Sequence, residues 1–250
     1  MTRIELELRV SDESKYSPEL LRERLAGVRE KIDGAKKRRD VEGDVALIGV
    51  TKTHPPEAIR VLYEAGLRAF GASYVQEWEA KYPQLPDDID WHFVGRLQSN
   101  KAKYIADRVI MVHSVDRKSV MKSLHRRCEE PVDILLQVNL GMEASKGGVP
   151  SDEIEALMER TLNYPRLRVR GLMGMPPYRD DPEDNRHHFR ALRETLERLR
   201  DTVEERDPYR AKLLTELSMG MSNDYEVAIE EGATIIRLGT ALFGPRSYDG

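Results

Sequence analysis

Residues 45–66 read VALIGVTKTHPPEAIRVLYEAG. The first eight of these, VALIGVTK, form a buried-strand run that ends on Lys52, and PPEAIRVLYEAG reads as a helix closing at Gly66. The same unit then recurs. LRAFGAS (67–73) precedes YVQEWEAKY, DWHFVG (90–95) precedes NKAKYIAD, and VIMVHSVD (109–116) precedes RKSVMKSLHRRCEE. VDILLQVNL (132–140) leads through a Gly/Ser loop into SDEIEALMERTLNY, and LRVRGLMGMP (167–176) leads into NRHHFRALRETLERLRDTVEER. LLTELSMGMS (213–222) precedes DYEVAIEEG, and TIIRLGTALFG (234–244) ends the series. Strands alternating with helices imply βαβ units and a parallel sheet. Eight such runs in this length fit a closed (β/α)₈ TIM barrel better than an open doubly wound sheet, the alternative.

The flanks fit that reading. Leu21, Leu25, Val28 and Ile32 fall at helical spacing between Pro18 and about Arg39, with Ser17 placed as an N-cap before Pro18. This helix can cover the position left by the missing eighth one. Residues 1–17 are polar and uneven and read as an N-terminal extension, with residues 18–250 as one barrel domain. Forty basic and 44 acidic residues are interspersed at a net charge of −4, which builds no field for nucleic acid or for a membrane surface. The longest apolar stretch is too short to span a bilayer and carries Arg237, and the N-terminus has no apolar core of signal-peptide length. A single cysteine, Cys128, excludes an intrachain disulfide. The chain therefore reads as cytoplasmic.

In a barrel of this type, ligands gather at the C-terminal ends of the strands. Lys52 ends strand one, pointing either to solvent at the rim or into the mouth. In the mouth its ammonium is disfavoured and the amine becomes a nucleophile toward an aldehyde. Ser218, Gly220, Ser222, Gly239 and Thr240 supply small residues after strands seven and eight, the recurrent phosphate site of such barrels, although glycine there also relieves crowding. Lysine and phosphate cradle together suggest a phosphorylated aldehyde. Arg237, amid TIIRLG, needs a carboxylate, a ligand or water if it points inward. Asn100 and Lys101 of GRLQSNK could touch an anion, and Lys146 is a second lysine near the mouth. His54, His92, His113 and His125 are scattered, and His187 and His188 are adjacent on a helix, so no metal spacing appears. No GxSxG, P-loop or GxGxxG motif occurs.

The strings VTKTHP, YVQE, WHFVGRLQSNK, VNLGMEASKGG, RGLMGMPP, LSMGMSND and IRLGTALFGPR resemble the pyridoxal phosphate homeostasis family, itself similar to the N-terminal barrel of alanine racemases. The likeness runs from about Leu25 to Arg246. It implies pyridoxal 5′-phosphate as cofactor, Lys52 as its Schiff-base lysine, Ser222, Gly239 and Thr240 on the phosphate, and Arg237 facing the pyridine nitrogen. Ser73 and Met173 complete the implied cofactor-binding set. One departure stands out: the family's FGENYVQE is here FGASYVQE, so Ser73 replaces an asparagine beside the cofactor and Ala72 a glutamate. Ser73 keeps one hydrogen bond with shorter reach, which implies altered affinity or ring orientation.

Two functions follow as expectations. The first is a monomeric cytoplasmic carrier or buffer that takes up the cofactor by reversible imine formation and releases it to apoenzymes. The second is an amino-acid racemase, which needs acid/base groups on both faces of the α-carbon. Racemases take the second base from a β-domain after the barrel, whereas this sequence runs only to Gly250. An arginine at the ring nitrogen also keeps that nitrogen unprotonated and weakens the electron sink. Both points favour the carrier. An aldolase of the metal-assisted type would need a metal site that the histidine pattern does not offer.

Overall fold

Strands whose residues are buried on both faces demand a sheet covered by helices outside and by side chains within. The computed structural model, which describes residues 15–39, 43–141 and 147–245, has that form. Its parallel strands are β1 (Ala46–Val50), β2 (Ala69–Ala72), β3 (Asp90–Phe93), β4 (Met111–Val115), β5 (Val132–Val138), β6 (Leu167–Gly174), β7 (Glu216–Ser218) and β8 (Ile235–Leu238). They close in sequence order, β8 returning to β1 through Ala46↔Ile235, Leu47↔Ile236, Ile48↔Arg237 and Gly49↔Leu238. The barrel is therefore closed, and the open-sheet alternative falls. Each strand is shorter than its apolar run in the sequence. Lys52 lies two residues past β1, and GTALFG leaves β8 at once for a helical turn.

The outer layer begins with α1 (Pro18–Arg39), which buries Leu21, Leu25, Val28, Ile32 and Ala35. Ser17 caps it, its Oγ accepting the Leu20 N–H at 3.3 Å. Around the barrel follow α2 (Pro56–Glu64), α3 (Val75–Lys81), α4 (Ala102–Ile105), α5 (Lys118–Arg127), α6 (Ile154–Thr161), α7 (Arg186–Glu204), α8 (Pro208–Leu213), α9 (Tyr225–Glu230) and the turn α10 (Thr240–Phe243). Helix α1 packs against α2, α9 and α10, so it fills the eighth position between the first and last units. Arg38 of α1 reaches Glu226 and Glu230 of α9, and Arg186 of α7 reaches Glu230 and Glu231, tying three helices by charge. Residues 1–14 of the extension lie outside the described residues, but Tyr16 bonds through its hydroxyl to His54 Nδ1 at 2.9 Å.

The interior of the barrel is split. Ile48, Met111, Leu135, Met173 and Ile235 form one apolar plug. His92, His113, Ser218 and Arg237 are also buried within the barrel strands. Among the described residues no helix is long and apolar enough to cross a membrane.

Candidate functional site

A cavity of about 570 Å³ opens where the strands end. Nearly every strand contributes to its wall: Lys52 after β1, Ser73 after β2, Gly95 and Arg96 after β3, Gln137 from β5, Met175 after β6, Ser222 after β7, and Arg237, Gly239 and Thr240 from β8 onward. That size and mixture of apolar wall with a few convergent polar groups suit a small organic ligand.

Lys52 is half-buried, and the turn that carries it is held from both sides by α3. Lys81 donates to the Thr51 carbonyl at 3.0 Å, and Glu77 accepts the Thr53 N–H at 2.6 Å while pairing with Lys81. Thr53 adopts φ 66°, a left-handed conformation that is costly for a β-branched residue. The clamp thus fixes the backbone on either side of Lys52 in a geometry the chain would not choose alone.

On the side formed by β7 and β8, next to β1, the wall is built from small residues. Ser222 Oγ accepts the Ala241 N–H at 3.0 Å, joining the loop after β7 to the turn after β8. Gly239 lines the cavity and is uncrowded: a Cβ there would meet nothing nearer than the Val50 carbonyl oxygen, at 3.8 Å. At Gly95 the opposite holds. A Cβ would lie 2.0 Å from the Ser73 carbonyl oxygen, so the ends of β2 and β3 approach this closely only because residue 95 has no side chain.

Arg237 lies at the base of the cavity, 4% exposed. It donates to Ser218 Oγ at 2.6 Å and to the Gly174 carbonyl at 3.1 Å. Burial pushes its guanidinium down to about 10, against a weaker upward pull from Asp224, so it is still a cation at neutral pH. Among the described residues no carboxylate pairs with it.

Comparison with known proteins gives this geometry its context. The alanine racemase N-terminal domain family matches residues 25–247. A pyridoxal phosphate homeostasis protein of Aquifex aeolicus is 47% identical over 231 residues, 90% of this chain and 98% of that one. The chain belongs to the pyridoxal phosphate homeostasis protein family. A second relative of that name, from Vibrio alginolyticus, is 42% identical over 212 residues, 82% of this chain and 88% of its own. The structure of PipY from Synechococcus elongatus with PLP bound superposes with a TM-score of 0.74 at 34% identity, covering 90% of this chain and all of that one.

Within this family member, six of the residues implied by the resemblance share one cavity: Lys52, Ser73, Ser222, Arg237, Gly239 and Thr240. Met173 is elsewhere. It is fully buried in the apolar plug beneath, and Met175 lines the wall instead. Ser218, grouped by sequence with the phosphate residues, points inward and is taken up by Arg237 and His113. Asn100 and Lys101 sit in a turn off the wall, with Lys101 over the Tyr104 ring. Lys146 lies outside the described residues.

Sequence reading missed the cavity's rim and its floor. Tyr74 and Tyr178, 60% and 73% exposed, flank the opening together with the exposed Arg96 and Arg179. His92 and His113, which looked scattered, meet inside the barrel with Nδ1 and Nε2 2.9 Å apart. The signal available was the one used for Arg237, a titratable residue in the middle of an otherwise apolar strand.

Proposed function

We propose that this chain binds pyridoxal 5′-phosphate in the strand-end cavity and holds its aldehyde reversibly on Lys52, acting as a carrier or buffer of the cofactor in the cytoplasm. The observation that carries the reading is the convergence of three chemically distinct groups on one cavity. An amine stands at Lys52, hydroxyls and a side-chain-free backbone at Ser222, Gly239 and Thr240, and a buried cation at Arg237. These match an aldehyde, a phosphate and a ring nitrogen in turn. The uncrowded, side-chain-free backbone at Gly239 lets a phosphate approach its amides closely. The names of the relatives and the PLP-bound PipY structure support the same ligand.

When bound, the cofactor supplies a reactive aldehyde and a ring able to accept electrons. The residues of this chain favour the first property over the second. Arg237 carries its proton at neutral pH, so it presents positive charge to the ring nitrogen and disfavours protonation of that nitrogen. Glu77 and Lys81 fix the turn bearing Lys52, which favours attachment at one amine. The chain works as a monomer in this reading, and the recipients of the released cofactor are apoenzymes that require it.

Borohydride reduction of the loaded protein followed by peptide mass spectrometry tests the attachment. The added mass is expected on Lys52, and a mass on Lys101 or Lys146 overturns the assignment. Incubation with L- and D-alanine tests the role. Enantiomer conversion above the rate of free pyridoxal 5′-phosphate would establish the racemase in place of the carrier.

A further inference from the structure

Four polar side chains cross the barrel interior in an unbroken line. Arg237 on β8 donates to Ser218 Oγ on β7, Ser218 Oγ lies 2.8 Å from His113 Nδ1 on β4, and His113 Nε2 lies 2.9 Å from His92 Nδ1 on β3. None of the four is more than 6% exposed. Buried polar groups carry a penalty unless each donor meets an acceptor, so such a chain must have a direction.

Arginine fixes that direction, because a guanidinium can only donate. Ser218 Oγ accepts from Arg237 and must place its own hydrogen elsewhere, and His113 Nδ1 is the acceptor within reach. His113 then carries its proton on Nε2 and donates to His92 Nδ1, so both rings are neutral and share one tautomer. The reverse assignment would leave the serine hydrogen without a partner in a buried site.

The electrostatics agree. Burial holds His92 down to about 4 and His113 well below its ordinary value, with the Arg237 charge adding to the effect on His113. Asp224 is the carboxylate whose field reaches Arg237, but its oxygens accept from Asn185 Nδ2 and the Met221 N–H. A carboxylate in place of Ser218 would have formed an ion pair and cancelled the guanidinium charge. A serine backed by neutral histidines holds the same guanidinium in place and cancels nothing.

We infer that His113, with Ser218 in front of it and His92 behind, is a positioning residue for Arg237, a neutral relay that aims the guanidinium at the cavity while leaving its charge available to the ligand. The relay does not depend on what the cavity binds; its effect on the cofactor ring rests on the function proposed above.

Two measurements separate these levels. In the ligand-free protein, ¹⁵N-resolved histidine spectra are expected to show His113 and His92 neutral with the proton on Nε2 across roughly pH 8 to 5, where an exposed histidine titrates. A His113 that carries its proton on Nδ1, or that protonates with an ordinary midpoint, overturns the relay. With pyridoxal 5′-phosphate added, His113→Leu and Ser218→Ala are expected to keep the Lys52-dependent absorption band. The pH midpoint of that band should move by about one unit, because the cation beside the ring is no longer held in register. His113→Gln, which can still accept and donate, is expected to restore the wild-type profile. A wild-type band and profile in folded Ser218→Ala overturns the coupling even if His113→Leu fails to fold. If the wild-type protein shows no band at all, the cofactor reading fails, and the histidine spectra still decide the relay.

Discussion

Replacing Glu77 by alanine tests whether the clamp on the Lys52 turn aims the amine or merely decorates it. Glu77 accepts the Thr53 N–H at 2.6 Å and neutralises Lys81, which itself holds the Thr51 carbonyl at 3.0 Å. A hydrogen bond to a charged group contributes about 1.5–3 kcal/mol. Holding Thr53 at φ 66° costs about 1–2 kcal/mol, so without Glu77 the turn is free to relax and carry Lys52 with it. The Glu77 side chain keeps 27% exposure, which places the loss at the lower end. The expected outcome is a drop of about tenfold in affinity for pyridoxal 5′-phosphate, equivalent to about 1.4 kcal/mol. Pyridoxine 5′-phosphate has the same ring and phosphate but no aldehyde, and its affinity should hardly change. Parallel titrations with the two ligands by fluorescence quenching provide the ratio. Equal losses for both would mean that Glu77 supports the cavity as a whole, and no loss for either would mean that Lys52 needs no aiming. Glu77→Gln retains an acceptor and should fall between the two.

Other consequences can be checked alongside. Thr240→Val removes a hydroxyl from the phosphate side and should weaken cofactor retention by about 1.5–3 kcal/mol, measured by dialysis; unchanged retention puts the phosphate elsewhere. Gly95→Ala sets a Cβ 2.0 Å from the Ser73 carbonyl oxygen. It should destabilise the fold by about 1–3 kcal/mol in urea melts, and an unchanged midpoint would refute the close approach of β2 and β3. Acid stability follows from His92 and His113, whose native pKa values lie below the ordinary 6.5. Their contribution is complete above about pH 6.5 and is lost as pH falls; for His92 the loss runs toward about pH 4 at about 1.4 kcal/mol per pH unit, and His113 adds to it in the same direction. A urea midpoint that stays flat from pH 7 to about 4.5 would contradict their burial as neutral rings.

The barrel was legible because its signal is repetition. Eight apolar runs separated by amphipathic segments leave few topologies, and α1 showed its buried stripe at Leu21, Leu25, Val28 and Ile32 before any contact was known. The strand-end residues of the cavity were equally readable, since position along a strand predicts height in the barrel. The points where the strands end were not. Ser218 and Ser222 belong to one string, yet one bonds Arg237 in the interior and the other faces the cavity. Met173 sits in the plug, while Met175, nearer the strand ends, packs against that plug and lines the wall. Residues two or four positions apart share a strand face, so depth along the barrel separates such pairs, and the sequence does not mark where β7 stops after only three residues. The meeting of His92, His113 and Ser218 was hidden for a further reason. His92 and His113 lie 21 positions apart on neighbouring strands, but Ser218 is 105 positions from His113, and only barrel closure brings β4 and β7 face to face.

The position of α1 has a consequence for how the molecule is made. Its apolar stripe is covered by α9 and α10 as well as by α2, so its full set of partners exists only once the end of the barrel is available. Ribosomes deliver about 5–20 residues per second, so a helix waiting for partners about 200 residues downstream stays partly uncovered for roughly 10–40 seconds. During that interval Leu21, Leu25, Val28 and Ile32 are an exposed sticky face on the nascent chain, and the charged residues between them are what keeps it in solution. The seam joining β8 to β1 is then both the last part of the barrel to form and the place where a stalled chain would offer an open strand edge to its neighbours.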